Sequence, residues 1–338
     1  MYSFVPFRVT DSEELRLSQM LMELAWGTCD YATADFIRWQ YVANPDGHAL
    51  GVLARPEGAA GELACQYVTI PSRLWCPLRK ARVASLLSVN TATHPNHRKR
   101  GLFVQAANQT FAQARFSGFD SVYGFPNDAS RPGFLKLGFS AVEPLQLFIS
   151  ISRPAAAVAR AALILKTRLF PPLKQGPVCG ILEAHAFAAA CSTIGLSGSQ
   201  LVKDYMHVPR DVAWLTWRYL EHPFWRYSFC VTDRAIFVSR FMMLGDITVA
   251  ILVDILGAPT KNCVKLLSEF FINERPALVC GVFSPSLREL HPEVRHMFQI
   301  AVPLRLSPKN FHVIYLPLQD GSRHPAKTFF CLGDFDLY

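Results

Sequence analysis

The stretch from Ser88 to Phe103, SVNTATHPNHRKRGLF, concentrates side chains suited to holding an anion. Arg98, Lys99 and Arg100 set three cations in a row, Gly101 frees the backbone for a close approach, and a helical pattern starts immediately afterwards. Backbone N–H groups at a helix start lack intrahelical acceptors, and the helix dipole adds positive potential there, so a phosphate or pyrophosphate fits. Successive turn amides make a nest for the same anion. The competing reading is an ordinary βαβ turn whose arginines form a solvated face. No metal is expected, because His222 and His291 each precede a proline and have no ligand-spaced partners.

Local pattern supplies the elements that would carry this loop. Val83 to Thr93 is an extended run with β-branched residues, and Pro95 stops it. Phe103, Ala107, Phe111 and Ala114 form one apolar stripe at helical spacing, with Gln105, Gln109 and Gln113 elsewhere on the cylinder and Gly118 at the end. Ser121 to Gly124 reads as a short buried strand, and Pro126 to Ser130 opens a second helix that ends at Leu137-Gly138-Phe139.

This order of strand, basic glycine loop, helix, strand and helix resembles the GNAT superfamily of acyl-CoA N-acyltransferases. Their cofactor loop has the form Arg/Gln-x-x-Gly-x-Gly/Ala. The matching residues are Pro95, His97, Arg98 and Gly101, with Phe103 where a small residue is commoner; Asn127, Ser130 and Leu137-Gly138-Phe139 match a later motif. The resemblance implies an α/β fold with a mixed sheet, and acetyl-CoA or another acyl-CoA as co-substrate. It assigns cofactor binding to Arg98, Lys99, Arg100, Gly101, Leu102 and Phe103 in the loop, to the backbone of Thr91 and Thr93, and to Asn127 and Ser130. Many members place a proton-donating Tyr where this chain has Phe134; Tyr123 is the nearest alternative, and a packed strand aromatic is its other reading. Glu62, His94 and Asp128 are the candidate bases, each also readable as a hairpin, turn or helix-start residue.

With 51% hydrophobic and 18% charged residues, the chain is globular, and 338 residues favour two domains. A net charge of +8 suits an anionic ligand or surface; no stacking-aromatic motif accompanies it, so nucleic acid is not expected. Nine scattered cysteines without a Cys-x-x-Cys pair point to reduced thiols in a cytoplasmic protein. The N-terminus shows no signal peptide, and no apolar run is long enough for a spanning helix.

Trp39-Gln40-Tyr41-Val42-Ala43-Asn44-Pro45 has the pattern Trp-x-Tyr-x-x-x-Pro, and Trp217 to Pro223 repeats it. Strand candidates follow each copy, so the expectation is two tandem GNAT-like domains: 1–152, closed by a strand over Pro144–Ser152, and 199–338, joined by a helical linker over 153–198. The second lacks the basic loop, running Gly257-Ala258-Pro259-Thr260 instead. The tandem arrangement is similar to double-GNAT proteins of polysaccharide gene clusters, which implies a small amine acceptor such as an amino sugar. A non-catalytic module binding acyl-CoA or a protein, and an aminoacyl-transferring relative, are the alternatives. The basic Ala-rich stretch in 153–174 reads as a packed linker helix or as an interfacial helix touching anionic lipid at the membrane periphery.

Overall fold

The computed structural model describes the chain apart from residues 28, 60, 152–173, 177–179, 181, 196–201, 245–246, 308, 320–323 and 336–338. The basic helix expected within 153–174 lies outside the described residues. The rest divides into two compact units: residues 1–142, 221–224 and 312–325, and residues 143–220, 225–311 and 326–338.

Unit 1 begins with β1 (Tyr2–Pro6), α1 (Ser12–Trp26), α2 (Ala34–Tyr41), β2 (Leu50–Pro56), β3 (Cys65–Cys76) and β4 (Ala81–Thr93). It continues with α3 (Leu102–Phe116), β5 (Ser121–Gly124) and α4 (Arg131–Lys136). The helix starts follow from their caps: Asp11 accepts from the amides of Glu13 and Glu14, and Thr33 accepts from Phe36. The strands run antiparallel from β1 to β4, and β5 then joins β4 in parallel. Val52, Tyr67, Leu86, Ala107, Phe111 and Val122 pack the core beneath α3.

Unit 2 takes β6 (Ser140–Ile151) from Glu143 on and contains β7 (Lys174–Gln175), α5 (Ala184–Thr193), α6 (Val212–Leu215) running into a π-helical turn (Thr216–Leu220), and β8 (Ser228–Val231). It goes on through β9 (Ala235–Leu244), β10 (Ile247–Gly257), α7 (Lys261–Glu274), β11 (Leu278–Phe283), α8 (Leu287–Leu290), α9 (Pro292–Met297) and β12 (Ile300–Ala301). The antiparallel β9–β10 pair, the helix α7 and the parallel β11 repeat the β3–β4–α3–β5 order of unit 1. The fold is a mixed α/β architecture in which the second copy lacks the basic loop.

One expectation needs correction. The strand over Pro144–Ser152 forms as β6, but it pairs antiparallel with β11 of unit 2, from Gln146↔Phe283 to Ile151↔Leu278. The place beside β5 is taken by β13 (Phe311–Pro317), with Ile314 opposite Gly124 and Pro317 opposite Ser121. Each half of the chain therefore supplies the strand that completes the other's sheet. An apolar run sets a strand, but its edge partner is chosen by contacts far away in sequence.

The repeated Trp-x-Tyr segments are internal anchors. Trp39, Tyr41, Trp217 and Tyr219 are all buried. Among the described residues no helix is long and apolar enough to cross a membrane, and the described cysteines are unpaired.

Candidate cofactor site

β4 and β5 part company at the centre of unit 1. Their pairing ends at Ser88↔Gly124, while β4 runs on to Thr93. The stretch from Val89 to Thr93 therefore presents an edge that β5 does not cover, and Val89, Asn90, Thr91 and Thr93 are half-buried along it. A bulge between Gln66/Ala92 and Val68/Val89 bends the strand here. Asn90 sits in the bulge with φ 46°, in the left-handed region that Asn tolerates better than most residues.

Three side chains hold Asn90 in that conformation. Gln66 Nε2 donates to its carbonyl at 2.9 Å, and its own amide donates to Gln40 Oε1 and, at 3.0 Å, to Tyr41 Oη. Sequence reasoning passed over Asn90. The available signal was an Asn inside a strand whose neighbours are β-branched, a residue that strands disfavour.

The basic loop begins where β4 stops. A 3₁₀ turn, Pro95–His97, leads into Arg98, Lys99, Arg100 and Gly101, all exposed. Lys99 has φ 63° and Gly101 φ 73°, so the chain turns through two left-handed positions before α3. Gly101 is the N-cap and offers no side-chain hydrogen bond. The first-turn amides at Leu102 and Phe103 are thus without a side-chain cap, at the positive end of a helix running to Phe116, beside three cations. The residues present fit a diphosphate.

The remaining expected cofactor residues divide. Thr91 lies on the uncovered edge, whereas Thr93 Oγ1 donates to Cys65 Sγ at 3.3 Å. Phe103 turns its ring inward against Tyr67 and Phe134, at centroid distances of 5.7 and 5.3 Å, and leaves only its backbone to the loop. A Cβ on Gly133 would fall 2.9 Å from the Phe103 ring, so α3 and α4 touch through this pair. Asn127 and Ser130 bond each other, with Ser130 N 2.9 Å and Ser130 Oγ 3.0 Å from Asn127 Oδ1, and so shape the turn before α4.

The expected acid and base candidates each have a partner of their own. Glu62 Oε1 meets His97 Nε2 at 2.9 Å, and His94 Nδ1 accepts the amide of Asn96 at 3.2 Å; both therefore sit at the loop end of β4. Asp128 Oδ1 lies 2.7 Å from His312 Nε2. Tyr123 is 1% exposed and its hydroxyl pairs with Ser72 Oγ at 2.8 Å inside the unit. Phe134 is packed among Tyr67, Phe103 and Phe139.

In unit 2, β10 likewise leaves β11, after Leu252↔Gly281. There the chain fills its own gap. Cys331 bridges Phe283, and Ser284 N donates to Phe330 O at 2.8 Å. Arg210 ties the insert down, with Nε 2.7 Å from Asp254 Oδ2 and Nη1 2.6 Å from Asp334 Oδ1.

Comparison with known proteins agrees with this layout. No family model and no curated protein matches the chain. Among solved structures, a GCN5-related N-acetyltransferase from Anabaena variabilis aligns with TM-score 0.59 and 12% identity, over 94% of this chain and 73% of the other. One from Kribbella flavida aligns with TM-score 0.60 and 15% identity, over 93% and 70%. The chain has the GNAT fold. Eis1 from Mycobacterium abscessus shares it with TM-score 0.51 and 11% identity, over 83% of this chain and 65% of its own. At these identities the GNAT likeness is one of architecture, and chemistry has to be argued from the site.

Proposed function

We propose that unit 1 is an acyl-CoA-dependent N-acyltransferase acting on a small amine, with acetyl-CoA as donor and an amino sugar of polysaccharide synthesis as the acceptor class, working in the cytoplasm. The observation that carries this reading is the side-chain-uncapped start of α3, preceded by the exposed Arg98, Lys99 and Arg100 beyond the end of a strand that has left its neighbour. Arg98 and the amides following Gly101 would hold the diphosphate, and the edge from Val89 to Thr93 would orient the acyl-bearing arm. The thioester supplies the activated acyl group. Positioning an amine against it accounts for a large share of the acceleration such a site can deliver.

Phe134 supports a second reading, a module that binds acyl-CoA without turnover, because a phenyl ring cannot protonate a departing thiolate. Two measurements separate them. Calorimetry with coenzyme A should show saturable binding that Arg98→Ala weakens; unchanged affinity sinks the loop assignment. Thiol release from acetyl-CoA across an amine panel that includes amino sugars should then show turnover; binding without turnover on any amine selects the module.

A further inference from the structure

A second constellation in unit 1 lies beside the basic loop, and the cofactor reading does not use it. Glu62, His94 and His97 each offer one ligand atom, and the three atoms lie within 4.8 Å of one another. We propose that these three residues form a binding site for a divalent transition-metal ion of the zinc class.

The backbone sets the histidines up for this. His94 is the N-cap and His97 the last residue of the 3₁₀ turn Pro95–His97. In a 3₁₀ helix residues i and i+3 eclipse, so a His-x-x-His pair there shares one face. His94 N donates to Ala64 O at 2.9 Å, fastening the turn to the segment that carries Glu62. All three residues are half-buried, so ligands and solvent can both reach the centre.

Ligand chemistry selects the ion. Two imidazoles and one carboxylate are the donor set of open zinc sites, in which water or an exogenous anion completes the tetrahedron. Imidazole nitrogen ranks zinc, cobalt and nickel well above magnesium or calcium, which prefer oxygen. Glu62 Oε1 and His97 Nε2 are already 2.9 Å apart, a separation that a shared proton holds and that a metal ion can take over.

The outer contacts also fit. Metal-bound histidine fixes its second nitrogen through a hydrogen bond, and His97 Nδ1 is 2.8 Å from the hydroxyl of Tyr2. That hydroxyl accepts from Arg100 Nη1 at 2.7 Å. A tyrosine oxygen has two lone pairs, so Tyr2 can accept from Arg100 and from His97 Nδ1–H together, which leaves Nε2 free to coordinate. The same contact turns the nearest guanidinium toward Tyr2, and Arg98 points to Ala25 O at 3.4 Å. One contact is lost: His94 Nδ1 accepts the Asn96 amide at 3.2 Å, and coordination through either nitrogen of His94 removes that acceptor.

The test uses the full chain, freed of metal with a chelator, titrated by calorimetry with zinc chloride and, separately, magnesium chloride. One zinc per chain and no saturable magnesium binding are expected. Cobalt(II) loaded into the unaltered chain should give the visible bands of a four-coordinate nitrogen and oxygen site, with no thiolate charge-transfer band. His94→Ala/His97→Ala should abolish this site, and Tyr2→Phe, which keeps the ring, should weaken zinc about tenfold. Circular dichroism checks that the variants are folded. Zinc binding that is absent, survives the double substitution, or carries a thiolate band overturns the proposal, and the cobalt spectrum decides even if the histidine variants misfold.

Discussion

Tyr219 donates its hydroxyl to Asp254 Oδ2 at 2.6 Å, and the contact occupies the place in unit 2 that Tyr41 and Asn90 occupy in unit 1, where the Asn90 amide is 3.0 Å from the Tyr41 hydroxyl. Each tyrosine ends a Trp-x-Tyr segment, and each partner sits at the irregularity of the strand leading to the helix. The repeat visible in sequence is thus a device that holds a strand bulge from below. In unit 1 it supports an uncovered edge. In unit 2 a carboxylate has replaced the amide, and an arginine and the chain's own C-terminal segment have joined it.

Asn90 is expected to tolerate Gly better than Ala. Its φ of 46° costs a residue with a Cβ about 1–2 kcal/mol, which Asn offsets through its bonds to Gln40 and Tyr41. Asn90→Ala keeps the strain and loses the bonds, at about 2 kcal/mol, whereas Asn90→Gly loses the same bonds but sheds the strain, for a net cost of about 1 kcal/mol. Urea unfolding of the two variants measures the order; a more stable Ala variant would mean that the bulge is not held in the left-handed region.

Arg210 should be among the most sensitive residues of unit 2. Its guanidinium lies between the buried carboxylates of Asp254 and Asp334 and stacks over Trp214 at 4.4 Å. Burial already pushes the Asp334 carboxyl up, with Arg210 opposing. Arg210→Met removes the opposing charge and should cost about 3–5 kcal/mol. The sign with pH is definite: a carboxyl with its folded pKa raised binds protons more readily when folded, so the variant should regain stability as pH falls toward 4. Thermal unfolding across that range reads it, and a variant whose melting temperature falls in parallel with the unaltered chain would refute the argument.

What the sequence discloses is what short-range physics decides. Asp11 caps α1 and Thr33 caps α2 through side chains only two or three residues from the amides they bind, and β4, the loop and α3 follow from alternation, Pro95 and Gly101. The exchange of β6 and β13 was not legible, because a buried strand such as Val313–Leu316 carries no mark of which edge it will join. The bulge at Asn90 depends on Gln40, Tyr41 and Gln66, three residues scattered over two elements. Glu62 and the histidines meet only because the segment before β3 lies beside the end of β4.

Only one coenzyme A should bind per chain. Unit 1 has the free helix start and the exposed Arg98, Lys99 and Arg100, whereas in unit 2 the residues from Thr328 to Asp334 lie where β10 and β11 diverge. Native mass spectrometry should show a single adduct. Because the loop cations are exposed, affinity should also fall as salt rises past physiological strength, where the screening length is about 8 Å. A second adduct of equal affinity would mean that the C-terminal segment leaves its place.

His291 should make the stability of unit 2 fall in mild acid. The ring is 4% exposed, lies 5.6 Å from Phe329, and its Nδ1 has no hydrogen-bond partner. Burial pushes the imidazole down to about 4, with the Asp254 carboxylate pulling the other way. The unfolded chain titrates near 6.5, so between these values the unfolded state holds a proton that the folded state lacks, and stability rises with pH. The contribution is complete above about 6.5 and declines by about 3 kcal/mol as pH drops to 4. Replacing the ring by an amide of similar reach removes the titration while keeping a polar group in place. His291→Gln should therefore flatten the dependence of the melting temperature on pH between 4.5 and 7 relative to the unaltered chain. Equal slopes for the two proteins would show that the imidazole is already protonated in the folded state, and that its burial against Phe329 opens in acid before the unit unfolds.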